Sequence, residues 1–190
     1  MGKRRRPLLL AFCIPVAILL AAIVYKGMYP FGDRCFLRVD MYNQYLPFFS
    51  LFYRKLQEGE SLFFSWRAGL GANFVGLYAY YLASPMNWLL VVCPKAYILE
   101  FMTVLILVKT GLCGLTFAWY LKRHFGTESY GITLFSAFYA LSGFMAAYNW
   151  NVMWLDCIFI TPVIILGLEM LVWESRPFLY VVSLGFSILT

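Results

Sequence analysis

Lys3-Arg4-Arg5-Arg6-Pro7 leads straight into Leu8-Leu9-Leu10-Ala11-Phe12-Cys13-Ile14-Pro15-Val16-Ala17-Ile18-Leu19-Leu20-Ala21-Ala22-Ile23-Val24. At ~1.5 Å per residue this apolar run just crosses a hydrocarbon core of ~30 Å. Cations ahead of a span keep the N-terminus in the cytoplasm. No small-x-small cleavage site follows and the run is long for a signal sequence, so it reads as an uncleaved anchor. Residues from Lys26 onward then emerge on the outer face.

The rest of the chain has the same character. It is 63% apolar, 20% aromatic and 13% charged, against about 25% charged in ordinary globular domains. Mean hydropathy is +0.75. The expectation is an all-α polytopic membrane protein with spans at about 8–25, 96–121, 131–148 and 157–172. A fifth, 178–190, is too short to cross and implies an N-terminal piece of a longer protein. The +6 net charge has no long basic run beyond the start. It points to anionic lipid and not to nucleic acid. The five cysteines form no CxxC pair and support neither a metal site nor a disulfide framework.

Between the first two spans lies a long outer loop, 26–95. Tyr42 to Leu56 reads as an amphipathic helix in the interface, with Phe48, Phe52 and Leu56 on one side and Pro47 starting or kinking it. Leu62 to Ala83 interleaves glycines with aromatic residues, a composition suited to headgroup depth. Gly69-Leu70-Gly71 is not a dinucleotide fingerprint, because Phe74 stands at the third glycine position. Pro85 opens a short re-entrant or interfacial helix. Within the second span Lys109 falls near the middle and must face protein, a carboxylate or a wet cavity. Gly111 and Gly114 suit close helix packing there. Lys122-Arg123-His124 marks a cytoplasmic turn, and its histidine reads as solvated. Trp150 and Trp154 in the second outer loop read as interface anchors.

Ionisable residues collect on the outer side: Asp33, Arg34, Arg38, Asp40, Arg67 and Asp156, with Tyr42, Asn43 and Gln44 beside them. Interfacial anchoring and helix capping account for such residues in one reading. Chemistry on a lipid-linked substrate accounts for them in the other. Carboxylates at a membrane edge can activate a hydroxyl or hold a divalent cation, magnesium or manganese, with Asp40 and Asp156 as candidate ligands. Arginines can clamp a lipid phosphate. Together they suit transfer of a sugar from a polyprenyl phosphate. Asp156, at the start of an apolar run, is equally a helix cap or a second acid facing the same cavity.

An acid shortly after the first span, followed by a long outer loop with interfacial helices, resembles the GT-C glycosyltransferase architecture. More closely, Pro30 to Asp33, Leu37 to Phe48, Gly69 to Phe74, Leu77 to Trp88 and Asn149 to Asp156 are similar to the bacterial YfhO family. The resemblance implies a GT-C-like helical bundle in the bacterial cell membrane that decorates a cell-envelope polymer, such as teichoic acid, from an undecaprenyl-phosphate sugar. Carried onto this sequence, it makes Asp40 the first-loop acid and general base. Asp33 is its partner or substitute. Arg34, Arg38 and Arg67 are candidates for the donor phosphate, Tyr42, Asn43 and Gln44 for hydrogen bonds near the acid, and Asp156 for orienting the acceptor. The rival class is a non-catalytic lipid or polymer transporter or an assembly scaffold, which would use Lys109 to line a pathway.

Overall fold

The computed structural model describes residues 6–35 and 37–190. The basic run Lys3 to Arg5 lies outside the described residues. The chain is 74% helical and 3% strand, an all-α membrane protein. Four helical segments are long and apolar enough to cross a bilayer, or five if one sharply bent pair counts as a span.

Helix α1, Arg6–Tyr25, keeps Pro15 in its interior. A turn then folds back on itself, with Arg34 donating to the Gly27 carbonyl at 3.1 Å and Tyr29 to the Arg34 carbonyl at 2.8 Å. A π-helical turn, Met41–Tyr45, runs directly into α2, Leu46–Glu58. Pro47 sits in the first turn of α2, at its junction with the π-helical turn. Gly59 ends the helix with φ +65°, a conformation that costs glycine little. Phe49 and Phe52, with Tyr45 just before the helix, form its buried face, whereas Phe48 and Leu56 of the expected four-residue stripe are only partly buried.

Strands β1, Phe64–Ser65, and β2, Ala72–Asn73, make a minimal antiparallel hairpin. Asn73 caps α3, Phe74–Leu77, by accepting from the Val75 N–H at 3.0 Å. A second π-helical turn, Tyr78–Leu82, continues it. The following 3-10 helix, Pro85–Val92, leaves at 106°. Ser84 is extended, as a residue before proline must be. This bend gives the re-entrant reading of Pro85 its geometry.

Helix α4, Ile98–Phe125, is the longest. The third span is broken: α5, Tyr130–Ala140, and α6, Gly143–Tyr148, are separated at Leu141–Ser142. The expected span over 131–148 is present as one apolar segment, Tyr130–Tyr148, with this two-residue interruption inside it. Helix α7, Trp154–Glu174, and the short α8, Phe178–Leu189, complete the chain.

Helix α4 is the hub, packing on α1, α5 and α7, while α7 also packs on α8. Glycine sets two of these approaches. A Cβ at Gly114 would collide with the Ala11 carbonyl oxygen of α1, and one at Gly167 would lie 2.6 Å from the Tyr180 nitrogen of α8. The expected role of Gly114 is therefore met by backbone contact. Tyr29 donates to Glu100 at 2.8 Å, fixing the end of α1 beside the start of α4. At the opposite end Thr133 donates to the Pro7 carbonyl at 3.1 Å. His124 is not simply solvated: its Nδ1 lies 2.9 Å from Glu169 of α7. The segment between α1 and α4 thus folds over the end of the bundle where α4 and α7 begin. Its aromatic face shares one core with Met102, Ile106 and Leu155.

Candidate active site: a carboxylate in an aromatic cleft

Val39 precedes Asp40 with φ +51°, a strained conformation for a β-branched residue. Backbone strain of this kind concentrates at functional sites. The chain then enters the π-helical turn, a geometry also frequent at such sites. Asp40 is half-buried and reaches a cleft of about 270 Å³. Gln44 and Tyr45 of the same turn form one wall. Tyr80 and Tyr81 of the second π-helical turn form another, and Trp150, Asn151, Met153 and Trp154 close the third. Three stretches far apart in sequence meet around one carboxylate.

Two hydrogen bonds join the first loop to the stretch between α6 and α7. Arg38 Nη2 donates to Asn149 Oδ1 at 3.1 Å. The Tyr45 hydroxyl donates to Asn151 Oδ1. Ring contacts hold the tyrosine wall: Tyr80 and Tyr81 meet edge-on at 4.7 Å between centroids, and Tyr45 and Tyr81 at 5.6 Å. Burial pushes the Tyr45 phenol well above its ordinary range. Tyr81 is raised by burial and then by its neighbours Tyr80 and Asp40. Both are therefore neutral hydroxyl donors at neutral pH.

The structure gathers only some of the predicted residues. Asp40 and Gln44 line the cleft, and Arg38 stands beside it through Asn149. Tyr42 and Asn43 are exposed, and Asn43 bonds back to the Val39 carbonyl. Asp33 and Arg34 are exposed in the folded-back turn and do not line the cleft. Arg67 belongs to a different cavity, of about 430 Å³, where it lies 4.0 Å from Glu60. That second cavity is built around Lys55, which donates to the Phe64 carbonyl at 2.8 Å and sits over the Phe74 ring at 4.8 Å. Lys55, in the last turn of α2, is almost wholly buried.

Asp156 corrects the reading of a second acid facing the cavity. It is fully buried in the first turn of α7 and ion-paired with Lys109, also fully buried. Its other oxygen accepts from Ser84 Oγ at 3.0 Å. Lys109 also donates to the Val152 carbonyl at 3.1 Å. The requirement that Lys109 meet a carboxylate is thereby satisfied inside the protein, as low-dielectric burial demands. With its oxygens so engaged, Asp156 is not free to ligate a cation or orient an acceptor. Among the described residues no three His, Cys, Asp or Glu side chains could hold a metal together. Asp40 is the one carboxylate in its cleft.

The residues that sequence reading missed are aromatic. Tyr80, Tyr81, Trp150 and Trp154 all carried the signature of membrane-interface anchors, which disguised their shared cleft. Asn151 carried no signal of its own.

The chain matches a family described as bacterial membrane protein YfhO over residues 11–190. No curated protein and no solved structure matches it.

Proposed function

The chain belongs to the bacterial YfhO membrane-protein family, and on that premise we propose that it transfers a sugar from a polyprenyl-phosphate donor to a hydroxyl of a cell-envelope polymer, with Asp40 as general base. The cleft lies on the exoplasmic side in this reading, where nucleotide sugars are absent and a lipid-linked donor is available. The observation that carries it is the solitary carboxylate of Asp40 in a cleft walled by tyrosine and tryptophan. Aromatic rings present flat apolar faces to sugar C–H groups, while their polar tips and the amide of Gln44 offer hydrogen bonds.

The acceptor hydroxyl oxygen attacks the anomeric carbon. The bond from that carbon to the phosphate oxygen breaks, and the phosphate leaves with the electron pair. The hydroxyl proton passes to the Asp40 carboxylate. Arg38 faces the departing phosphate, where its planar donors suit the developing charge.

The transporter reading relied on Lys109 lining a pathway. That amine is paired with Asp156 and bonded to the Val152 carbonyl inside the protein. The test is Asp40→Asn in the native membrane. Sugar decoration is expected to be lost while the protein stays inserted at its normal level. Undiminished decoration would remove Asp40 from the chemistry.

A further inference from the structure

Two walls of the Asp40 cleft come from outside the first-loop turn. Tyr80 and Tyr81 belong to the π-helical turn before Pro85, and Trp150 to Trp154 lead into α7. Among the described residues one hydrogen bond joins the bent segment 74–92 to the stretch 149–156: Ser84 Oγ donates to Asp156 Oδ1 at 3.0 Å. Ser84 stands at the N-cap of the 3-10 helix, where a hydroxyl ordinarily accepts from an N–H of its own first turn. It makes no such bond. The residue is buried, and its hydroxyl is spent on α7 instead.

The bend around Ser84 is closed by its own hydrogen bonds. Asn87, also buried, donates its side-chain amide to the Leu82 carbonyl at 3.1 Å and its backbone N–H to the Ser84 carbonyl at 2.9 Å. Leu82 directly follows Tyr81, so a shift of Ser84 carries the tyrosine wall with it. On the other side Lys109 holds both Asp156 and the Val152 carbonyl. Trp154 closes that turn by donating its backbone N–H to the Asn151 carbonyl at 3.1 Å. Both walls therefore hang from one post, the Lys109 ammonium of α4. Ser84 is the link that reaches the tyrosine side.

We propose that Ser84 is a positioning residue that sets the gap between the tyrosine and tryptophan walls, and with it the fit of a sugar ring between them. The inference rests on the glycosyl-transfer reading for the occupant and adds what fixes the width of its seat. Ser84 acts through the walls and not on the reacting atoms.

The experiment sets donor KM in native membranes against melting in detergent. Asp156→Asn strands the Lys109 charge but keeps an amide for Ser84, whose hydroxyl both donates and accepts. It should melt lower and hold its donor KM within about twofold. The Lys109→Leu, Asp156→Leu double variant should melt near the unaltered protein yet raise donor KM about tenfold, because Ser84 has lost its partner. Ser84→Ala should raise KM by a similar factor with kcat within about twofold, and it decides even if the double variant fails to insert. A link that serves stability alone predicts the opposite order, with KM normal in the double variant and disturbed in Asp156→Asn. That order, or an unchanged KM in Ser84→Ala, would overturn the proposal. Hydrogen exchange in lipid nanodiscs reads the link without any transfer. In Ser84→Ala, peptides over 78–83 and 149–154 should lose protection together while 98–108 of α4 keep theirs. Loss confined to 78–83 would also overturn it. Joint loss alongside intact decoration in Asp40→Asn would defeat the catalytic reading and leave the link standing.

Discussion

Asp40 and Asp156 are carboxylates at the same end of the helix bundle with opposite fates. Asp156 is closed off, its oxygens given to Lys109 and Ser84. Asp40 faces a cleft whose other walls are tyrosine, tryptophan and amide side chains. The difference teaches that an acid near a membrane edge is defined by what its lone pairs already hold. Asp156 joins α4, α7 and the segment before Pro85; Asp40 makes no side-chain hydrogen bond or ion pair among the described residues and so can accept a proton from outside.

The largest expected effect separates these roles directly. Asp40→Asn should lower sugar transfer by about 10²- to 10⁴-fold, the contribution usual for a positioned base, with no change in membrane abundance or melting. Asp156→Asn should do the reverse. Leaving Lys109 buried without its counter-charge should cost about 3–5 kcal/mol, read as a lowered melting temperature in detergent. The Lys109→Leu, Asp156→Leu double variant should recover most of that loss, because two apolar side chains leave no stranded charge. A double variant as unstable as Asp156→Asn would mean that the pair does more than satisfy itself.

Smaller effects sharpen the contrast. Gly114→Val drives a side chain into the Ala11 backbone and should lower thermal stability by about 1–3 kcal/mol, independently of either carboxylate. Trp154→Ala removes one wall of the cleft. It should raise KM for the donor several-fold, about 0.5–1.5 kcal/mol of ring contact, and leave melting nearly unchanged. Arg67→Ala should change transfer by no more than about twofold, because Arg67 sits at the rim of the other cavity beside Glu60. A large loss there would make the second cavity part of the substrate path.

The fold was largely legible. Long apolar runs and basic turns identify membrane helices through the cost of unpaired backbone in lipid, a rule that needs only local sequence. The aromatic face of α2 was legible only in part: Phe52 is buried as its spacing predicts, but Phe49 and not Phe48 is buried beside it. The break at Leu141–Ser142 was not, because Ser142 and Gly143 suit a packed helix and an interrupted one equally. Asp40 was singled out by its place after the first span. The partner of Asp156 was hidden: Lys109 belongs to another helix, and the pairing follows from how α4 and α7 cross. The cleft was hidden likewise, since its rings come from two loops and each looked like an anchor. Lys55 shows the limit of periodicity, because carbonyl oxygens from the hairpin, not its own helix, draw its amine inward.

The two hydrogen bonds from Arg38 and Tyr45 to Asn149 and Asn151 mean that neither loop owns the vestibule. A chimaera whose first loop lacked Arg38 and Tyr45 would lose both of its stitches to the second. A paired transplant, 26–95 together with 149–154, keeps both hydrogen bonds and all three walls of the cleft in one piece.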